Sequence, residues 1–173
     1  MKHNTDRFVT AIFCDDMRLE IGNKMSFMGC YQGDLFVASA PIVLPKFCVH
    51  ATVWTPKENR FHALSVRFVL NDIELARVEA PVSDPEVATR IVDESATRVG
   101  ISVAIAFSPF MIEKPTTLRV LATTEEGEIV GPRLLIKVAK GQEAIATSAK
   151  EQKSSVPSPT KRKSAKKTAS SVA

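Results

Sequence analysis

The chain has 173 residues, of which 45% are hydrophobic, 24% charged and 6% aromatic, as in an ordinary globular protein. Its ten prolines, seven glycines and three cysteines exclude collagen-like, disulfide-rich and wholly disordered classes. No run approaches the roughly 18–20 apolar residues of a membrane span. The net charge of +4 is divided unevenly, because residues 1–139 carry a net −2 and residues 140–173 a net +6. We therefore expect a folded domain over residues 1–139 and a basic tail over residues 140–173.

The N-terminal segment passes from polar residues into a short apolar run at residues 8–14. This run is too short and interrupted for a secretory signal, and no small-residue cleavage site follows it. The three cysteines, Cys14, Cys30 and Cys48, are odd in number and far apart in the sequence, which favours buried free thiols over a disulfide framework. We therefore expect a cytoplasmic protein with no membrane partner.

The first strand is predicted to turn through Gly22, Asn23 and Lys24 into residues 25–31, which makes a hairpin. Residues 47–54 are predicted to form a further strand. Residues 62–70 and 73–78 are predicted to form a second hairpin around Asn71 and Asp72, which tolerate positive φ. A two-residue turn there pairs Leu70 with Ile73, Phe68 with Leu75 and Val66 with Arg77, and only Arg77 breaks the apolar face.

Residues 84–92 form the one predicted helix, with Asp84 as a candidate N-cap, Pro85 at the first helical position and Glu86 in the first turn. Ile91 and Val92 could equally begin a strand. The clearest strand follows at residues 101–108, where Ile, Val, Ile and Phe alternate with Ser and Ala.

Residues 117–122 and 128–130 are predicted to form another hairpin, with Gly127 in the left-handed position of its loop. After Gly131 and Pro132, residues 133–138 are predicted as the last strand. About eight short strands at turn-marked intervals favour an all-β fold, a two-layer antiparallel β-sandwich of the Ig-like or C2-like kind. Residues 140–173 lack aromatic residues and alternation, so we expect them to be a disordered tail.

Catalytic motifs are absent from the sequence, which contains no phosphate-binding glycine loop, Gly-x-Ser-x-Gly, His-Glu-x-x-His or Cys-x-x-Cys. His50 and His62 are the only histidines in segments expected to be ordered. The three cysteines and His50 could together form a Cys₃His zinc site, but 15 and 17 residues separate successive cysteines, whereas structural sites use pairs about two to four residues apart. We therefore expect no catalytic residue, metal or cofactor.

Asp15 and Asp16 are adjacent carboxylates that could bind a hard cation or act as an acid/base pair. Neighbouring side chains on a strand point apart, and no third carboxylate lies at a local ligand spacing. The pair is better interpreted as a polar strand end where an Asp side chain caps backbone N–H groups.

The tail contains the densest positive charge, with five cations in the seven residues 161–167. Cations in an extended segment can neutralise successive phosphates of a nucleic acid without sequence specificity, although the same composition also serves as a solubilising tail. The candidate polyanion-binding residues, called the basic cluster below, are Lys161, Arg162, Lys163, Lys166 and Lys167.

Residues 13–31 (FCDDMRLEIGNKMSFMGCY) resemble the first hairpin of a family of small bacterial and phage-encoded β-sandwich proteins of uncharacterised function. The segments from Phe107 to Phe110 and on through Gly131 to Leu134 are similar to that family's final strands. The resemblance covers most of residues 7–138 and implies a fold without an activity.

The leading functional hypothesis is a non-enzymatic protein-interaction module of the cytosol, whose loops or edge strands meet a protein partner. The alternative is a nucleic-acid-associated accessory protein that binds DNA or RNA weakly and non-specifically through its tail. A third is an enzyme whose site is assembled from residues distant in the sequence.

Overall fold

The computed structural model describes residues 6–22, 24–82 and 95–139. The regular secondary structure in this part of the chain consists of β-strands. The predicted all-β class is therefore confirmed for these residues. Short strands that sequence patterns did not predict accompany the predicted ones. In chain order the strands are β1 (Phe8–Cys14), β2 (Asp16–Glu20), β3 (Lys24–Met28), β4 (Asp34–Val37), β5 (Ile42–Leu44), β6 (Phe47–Pro56), β7 (Leu64–Leu70), β8 (Ile73–Glu79), β9 (Arg98–Phe107), β10 (Phe110–Ile112), β11 (Thr116–Thr124) and β12 (Gly127–Val138).

The strands form a three-stranded sheet in the order β1-β6-β9 and a five-stranded sheet in the order β4-β12-β11-β7-β8. Two smaller sheets pair β2 with β3 and β5 with β10. All neighbours are antiparallel except β4 and β12, which are parallel. The prediction of a purely antiparallel fold is wrong at this pair. A parallel pair needs a long crossover connection, and most of the chain lies between β4 and β12.

The two larger sheets contribute to one hydrophobic core. The period of two along each strand directs alternate side chains into it, and burying each large side chain fully contributes about 1.5–3 kcal/mol. Strand β9 shows the predicted alternation, because Val99 and Val103 are buried while Gly100, Ser102 and Ala104 are exposed. The largest fully buried hydrophobic side chains are Phe47, Phe68, Ile112, Leu118, Leu134 and Ile136.

The first predicted hairpin is confirmed, with β2 and β3 paired around a turn in which Gly22 has φ +84°. Strand β3 ends at Met28 rather than at Tyr31. Tyr31 instead makes an isolated antiparallel bridge to Phe13 at the end of β1.

The hairpin of β7 and β8 is confirmed, but the predicted pairings beyond its first pair are wrong. Asn71 occupies the turn with φ 54°, and Leu70 pairs with Ile73 as predicted. A bulge at Leu75 then shifts the register, so Phe68 pairs with Ala76 and Arg67 with Arg77. Leu75 is the extra residue of the bulge, and its insertion places Arg77 on the exposed face. The apolar face therefore does not contain the charged side chain that the predicted register gave it.

The hairpin of β11 and β12 is also confirmed, but residues 133–138 are not a separate strand. Strand β12 continues through Gly131 and Pro132, where the register with β11 shifts at Val120. The bulge accommodates Pro132, which has no N–H to donate to the sheet. Glycine is required at position 131, because a Cβ there would lie 2.7 Å from the Val120 carbonyl oxygen and 2.9 Å from Val9.

The predicted helix over residues 84–92 and the predicted tail over residues 140–173 lie outside the described residues. Within residues 6–22, 24–82 and 95–139, no helix has the length and apolar character to cross a membrane.

Candidate interaction surface

The hairpin of β2 and β3 is amphipathic. Its register places Met17 opposite Phe27 and Leu19 opposite Met25, so these four apolar side chains share one face. The other face carries polar side chains where Arg18 is opposite Ser26 and Glu20 is opposite Lys24, whereas at its base Asp16 is opposite the apolar Met28. We call the first set, together with Ile21 in the turn, the apolar hairpin face.

The apolar hairpin face is covered at its base and exposed toward its turn. Phe27 packs edge-on against His50 of β6, with ring centroids 5.3 Å apart. Leu19, Ile21 and Met25 are 73%, 97% and 38% exposed. The sheet therefore anchors one end of this face, while its other end presents large apolar side chains to solvent.

Ion pairs and hydrogen bonds on the polar side hold the base of the hairpin. Asp16 accepts hydrogen bonds from Lys46 and from Arg18, the latter at 3.1 Å, and these bonds lower the pKa of Asp16. Ser26 donates to Glu20 across the two strands. The hairpin therefore has defined polar contacts, although its apolar face is only partly covered.

Asp15 and Asp16 contact different partners and do not form a carboxylate pair. The hydroxyl of Tyr31 donates to Asp15, and burial together with this bond raises the pKa of Tyr31. The predicted capping of backbone N–H groups is replaced by these side-chain contacts. Gly29, with φ +65°, leaves room for the Asp15 carboxylate, which a Cβ at position 29 would overlap.

The cysteines and His50 do not converge on one site. Cys14 and Cys48 are opposite each other on β1 and β6 and are buried, and burial followed by the neighbouring Cys48 raises the pKa of Cys14 to about 11. Cys30 is exposed in the segment after β3, so its predicted burial is wrong. Burial lowers the pKa of His50. No group of three or more potential metal ligands is assembled within the described part of the chain.

The outer face of the three-stranded sheet adjoins the apolar hairpin face where Phe27 packs on His50. It carries aromatic and small polar side chains. Phe8 stacks on Trp54 at a centroid distance of 6.3 Å, and the Arg98 guanidinium lies 5.3 Å from the Phe8 ring. The Trp54 indole N–H donates to the Thr10 hydroxyl at 3.2 Å. A Cβ on Gly100 would lie 2.9 Å from the indole, so glycine leaves room for the indole above the sheet.

The only site residues predicted from the sequence were those of the basic cluster, and they lie outside the described residues. The apolar hairpin face was missed, although the alternation of Met17 and Leu19 with Arg18 and Glu20 is visible in the sequence.

Comparisons with family models, curated proteins and solved structures gave no match.

Proposed function

We propose that the protein is a non-enzymatic protein-interaction module that contacts its partner through the apolar hairpin face. The observation that carries the proposal is the exposure of Leu19 and Ile21, at 73% and 97%, on a hairpin whose opposite face is polar except at Met28. A hairpin that met only water would gain nothing from large apolar side chains at these positions. Burying them against a partner would contribute about 25 cal/mol per Å² of apolar surface.

The physical character of the hairpin supports a docking role. A two-stranded hairpin alone is marginally stable in water, so covering its apolar face would also stabilise its shape. Met17 and Met25 on that face are flexible and polarisable, and methionine adapts to irregular partner surfaces. The outer face of the adjoining sheet, which carries Phe8, Trp54 and small polar side chains, would extend the contact.

The proposal includes a finer description of the fold, a two-layer β-sandwich of the Ig-like or C2-like kind. Support comes from the single hydrophobic core to which the three-stranded and five-stranded sheets both contribute. We also propose membership of the family of bacterial and phage-encoded proteins that the first hairpin resembles.

A cytosolic location is part of the same proposal. Cys14, Cys30 and Cys48 are all free thiols, as expected for a reducing compartment. Cys14 and Cys48 are unbridged even though they are opposite each other on neighbouring strands.

The test replaces Leu19 and Met25 together with Ser and measures recovery of partners from nuclease-treated extracts. We expect loss of a stoichiometric protein partner that wild-type protein retains, with no change in the β-type circular dichroism spectrum. The matched control replaces Val43 and Ile73, which are 49% and 69% exposed on other strands. Equal recovery with the hairpin variant and with wild-type protein would contradict the proposal.

A second candidate function, weak nucleic-acid binding through the basic cluster, is supported by the charge division between the net −2 of residues 1–139 and the net +6 of the tail. If each of the five cations neutralises one phosphate, the slope of log affinity against log salt is at most about −4.5 on duplex DNA and about −3.5 on single strands. Replacing all five with Ala should remove most of the salt-dependent affinity. Unchanged binding by that variant would place recognition elsewhere.

A further inference from the structure

The exposed face of the five-stranded sheet carries a shallow depression of about 740 Å³. Its floor is formed by side chains of β7, β11 and β12, and its rim includes the turn between β7 and β8. Its charged lining residues are Arg67, Asp72, Arg119 and Glu128, and its apolar ones are Val69, Leu121 and Val130. Arg67 is paired with Glu128, and Arg133 lies opposite Arg119 just beyond this lining. This face is separate from the apolar hairpin face and serves no role in the proposed function.

Two arginines on this face are opposite each other in neighbouring strands. Arg119 of β11 pairs with Arg133 of β12 in the sheet register, and both are exposed. Neither forms a salt bridge within the described residues, whereas Arg67 contacts Glu74 and Glu128, and Arg77 contacts Glu74 at 3.0 Å. Among the residues that the structure describes, these two neighbouring guanidinium groups therefore have no carboxylate partner.

Like charges directly opposite each other destabilise an antiparallel pair. Cross-strand Cβ atoms lie about 4.5–5.5 Å apart, so two guanidinium groups there can both reach one carboxylate or neighbouring carboxylates. Leu121 pairs with Val130 next to the arginines on the same face, and Val130 is 67% exposed. A ligand that fits this face therefore combines acidic groups with apolar ones.

We propose that the Arg119–Arg133 pair binds acidic side chains of a protein segment laid across the five-stranded sheet. The open shape of the depression favours an extended protein segment over a small molecule, because small-molecule sites enclose most of the ligand surface. Paired guanidinium–carboxylate hydrogen bonds supply the affinity, and the Leu121–Val130 pair supplies apolar contact.

The experiment measures binding of a fluorescein-labelled peptide of about eight glutamates by anisotropy at low salt. All proteins are full-length and carry Ala at the five positions of the basic cluster, so that the tail does not bind the peptide. Arg119→Gln with Arg133→Gln should weaken binding at least about tenfold. The control, Arg18→Gln with Lys24→Gln, removes the same charge from the polar face of the hairpin and should change affinity less than about twofold.

A second measurement distinguishes binding from structural damage. Either single arginine variant should melt at a higher temperature than its parent in low salt without peptide, because it removes a like-charge pair. Added salt should reduce that difference. Unchanged peptide affinity in the double arginine variant would overturn the proposal. Failure of the parent to bind, or tighter binding of inorganic phosphate or an oligothymidine, would overturn it as well.

Discussion

Arg7, just before β1, is a buried cation, with a residue exposure of 4%. Its Nη1 atom lies 2.7 Å from Glu125, its Nε donates to the Thr55 hydroxyl at 3.0 Å, and its guanidinium lies 4.8 Å from the Phe61 ring. These partners are about fifty to more than one hundred residues away in sequence. A sequence pattern therefore gave no sign that Arg7 would be buried.

Glu125 should make stability depend on pH. Burial opposes its ionisation, but hydrogen bonds from the Ala63, Glu125 and His62 N–H groups and from Arg7 prevail and lower the pKa of Glu125 from 4.5 to about 2. The folded state therefore binds this proton less readily than the unfolded state. The resulting stability is fully present above pH 4.5 and is lost as the pH falls toward 2.

Urea unfolding of wild-type protein and of Glu125→Gln at several pH values between 2 and 6 checks this expectation. The variant should lose less stability on acidification than wild-type protein. Glu113→Gln, which removes an exposed carboxylate elsewhere, is the control and should follow wild-type protein. Parallel curves for all three proteins would show that Glu125 does not contribute.

Native protein should react rapidly with one equivalent of a thiol reagent, at Cys30. Cys14 and Cys48 are buried and burial raises the pKa of both thiols, so little reactive thiolate is available at neutral pH. Denatured protein should react with three equivalents. Cys30→Ser should abolish the rapid native reaction, and rapid labelling that persists in that variant would contradict the described burial.

At the scale of single elements, strands that show alternation or flank a clear turn were predictable, and the shortest ones were not. Strand β9 alternates over ten residues, whereas β5 and β10 have three residues each and show no period. The bulge at Leu75 was also missed. It changes which residues of β7 stand opposite Ala76 and Arg77, and the alternation of side chains does not predict where such an extra residue is inserted.

The turn between β7 and β8 should depend on Asn71 far more than on Asp72. Asn71 has φ 54°, and its side-chain oxygen accepts a hydrogen bond from the Thr117 N–H at 3.2 Å. Asn71→Ala should lower the free energy of unfolding by about 1–2 kcal/mol, through left-handed strain and the lost bond. Asn71→Gly should recover the backbone part of that loss.

Chemical unfolding of these variants measures the effect. Asp72→Ala is the neighbouring control and should change stability by less than about 0.5 kcal/mol. A larger loss in Asp72→Ala than in Asn71→Ala would contradict the described turn.

For the whole molecule, composition and charge predicted a domain and a tail, while the functional surfaces depended on register. Leu19 and Met25 share a face only because β2 and β3 pair around Gly22. Arg119 is opposite Arg133 only because a bulge shifts β12 against β11. Sequence periodicity predicts that a strand exists, but it does not predict which residue of a distant strand stands opposite.

Removal of residues 140–173 should leave the domain intact. Within the part of the chain that the structure describes, the hydrophobic core is formed by residues between Val9 and Val138, and the composition of the tail predicts no packing that would stabilise it. The shortened protein should retain a β-type circular dichroism spectrum and melt within about 2 °C of the full chain. A much lower melting temperature would show that the tail stabilises the domain.

The central claim, that the apolar hairpin face binds a protein partner, is tested most directly by photo-crosslinking in cells that naturally contain the protein. Benzoylphenylalanine replaces Leu19 in one protein and Ile73, an equally exposed apolar residue of β8, in another; the two native residues are 73% and 69% exposed. The account predicts a discrete protein adduct from position 19 that is absent from position 73. No adduct from position 19, or the same adducts from both positions, would contradict it.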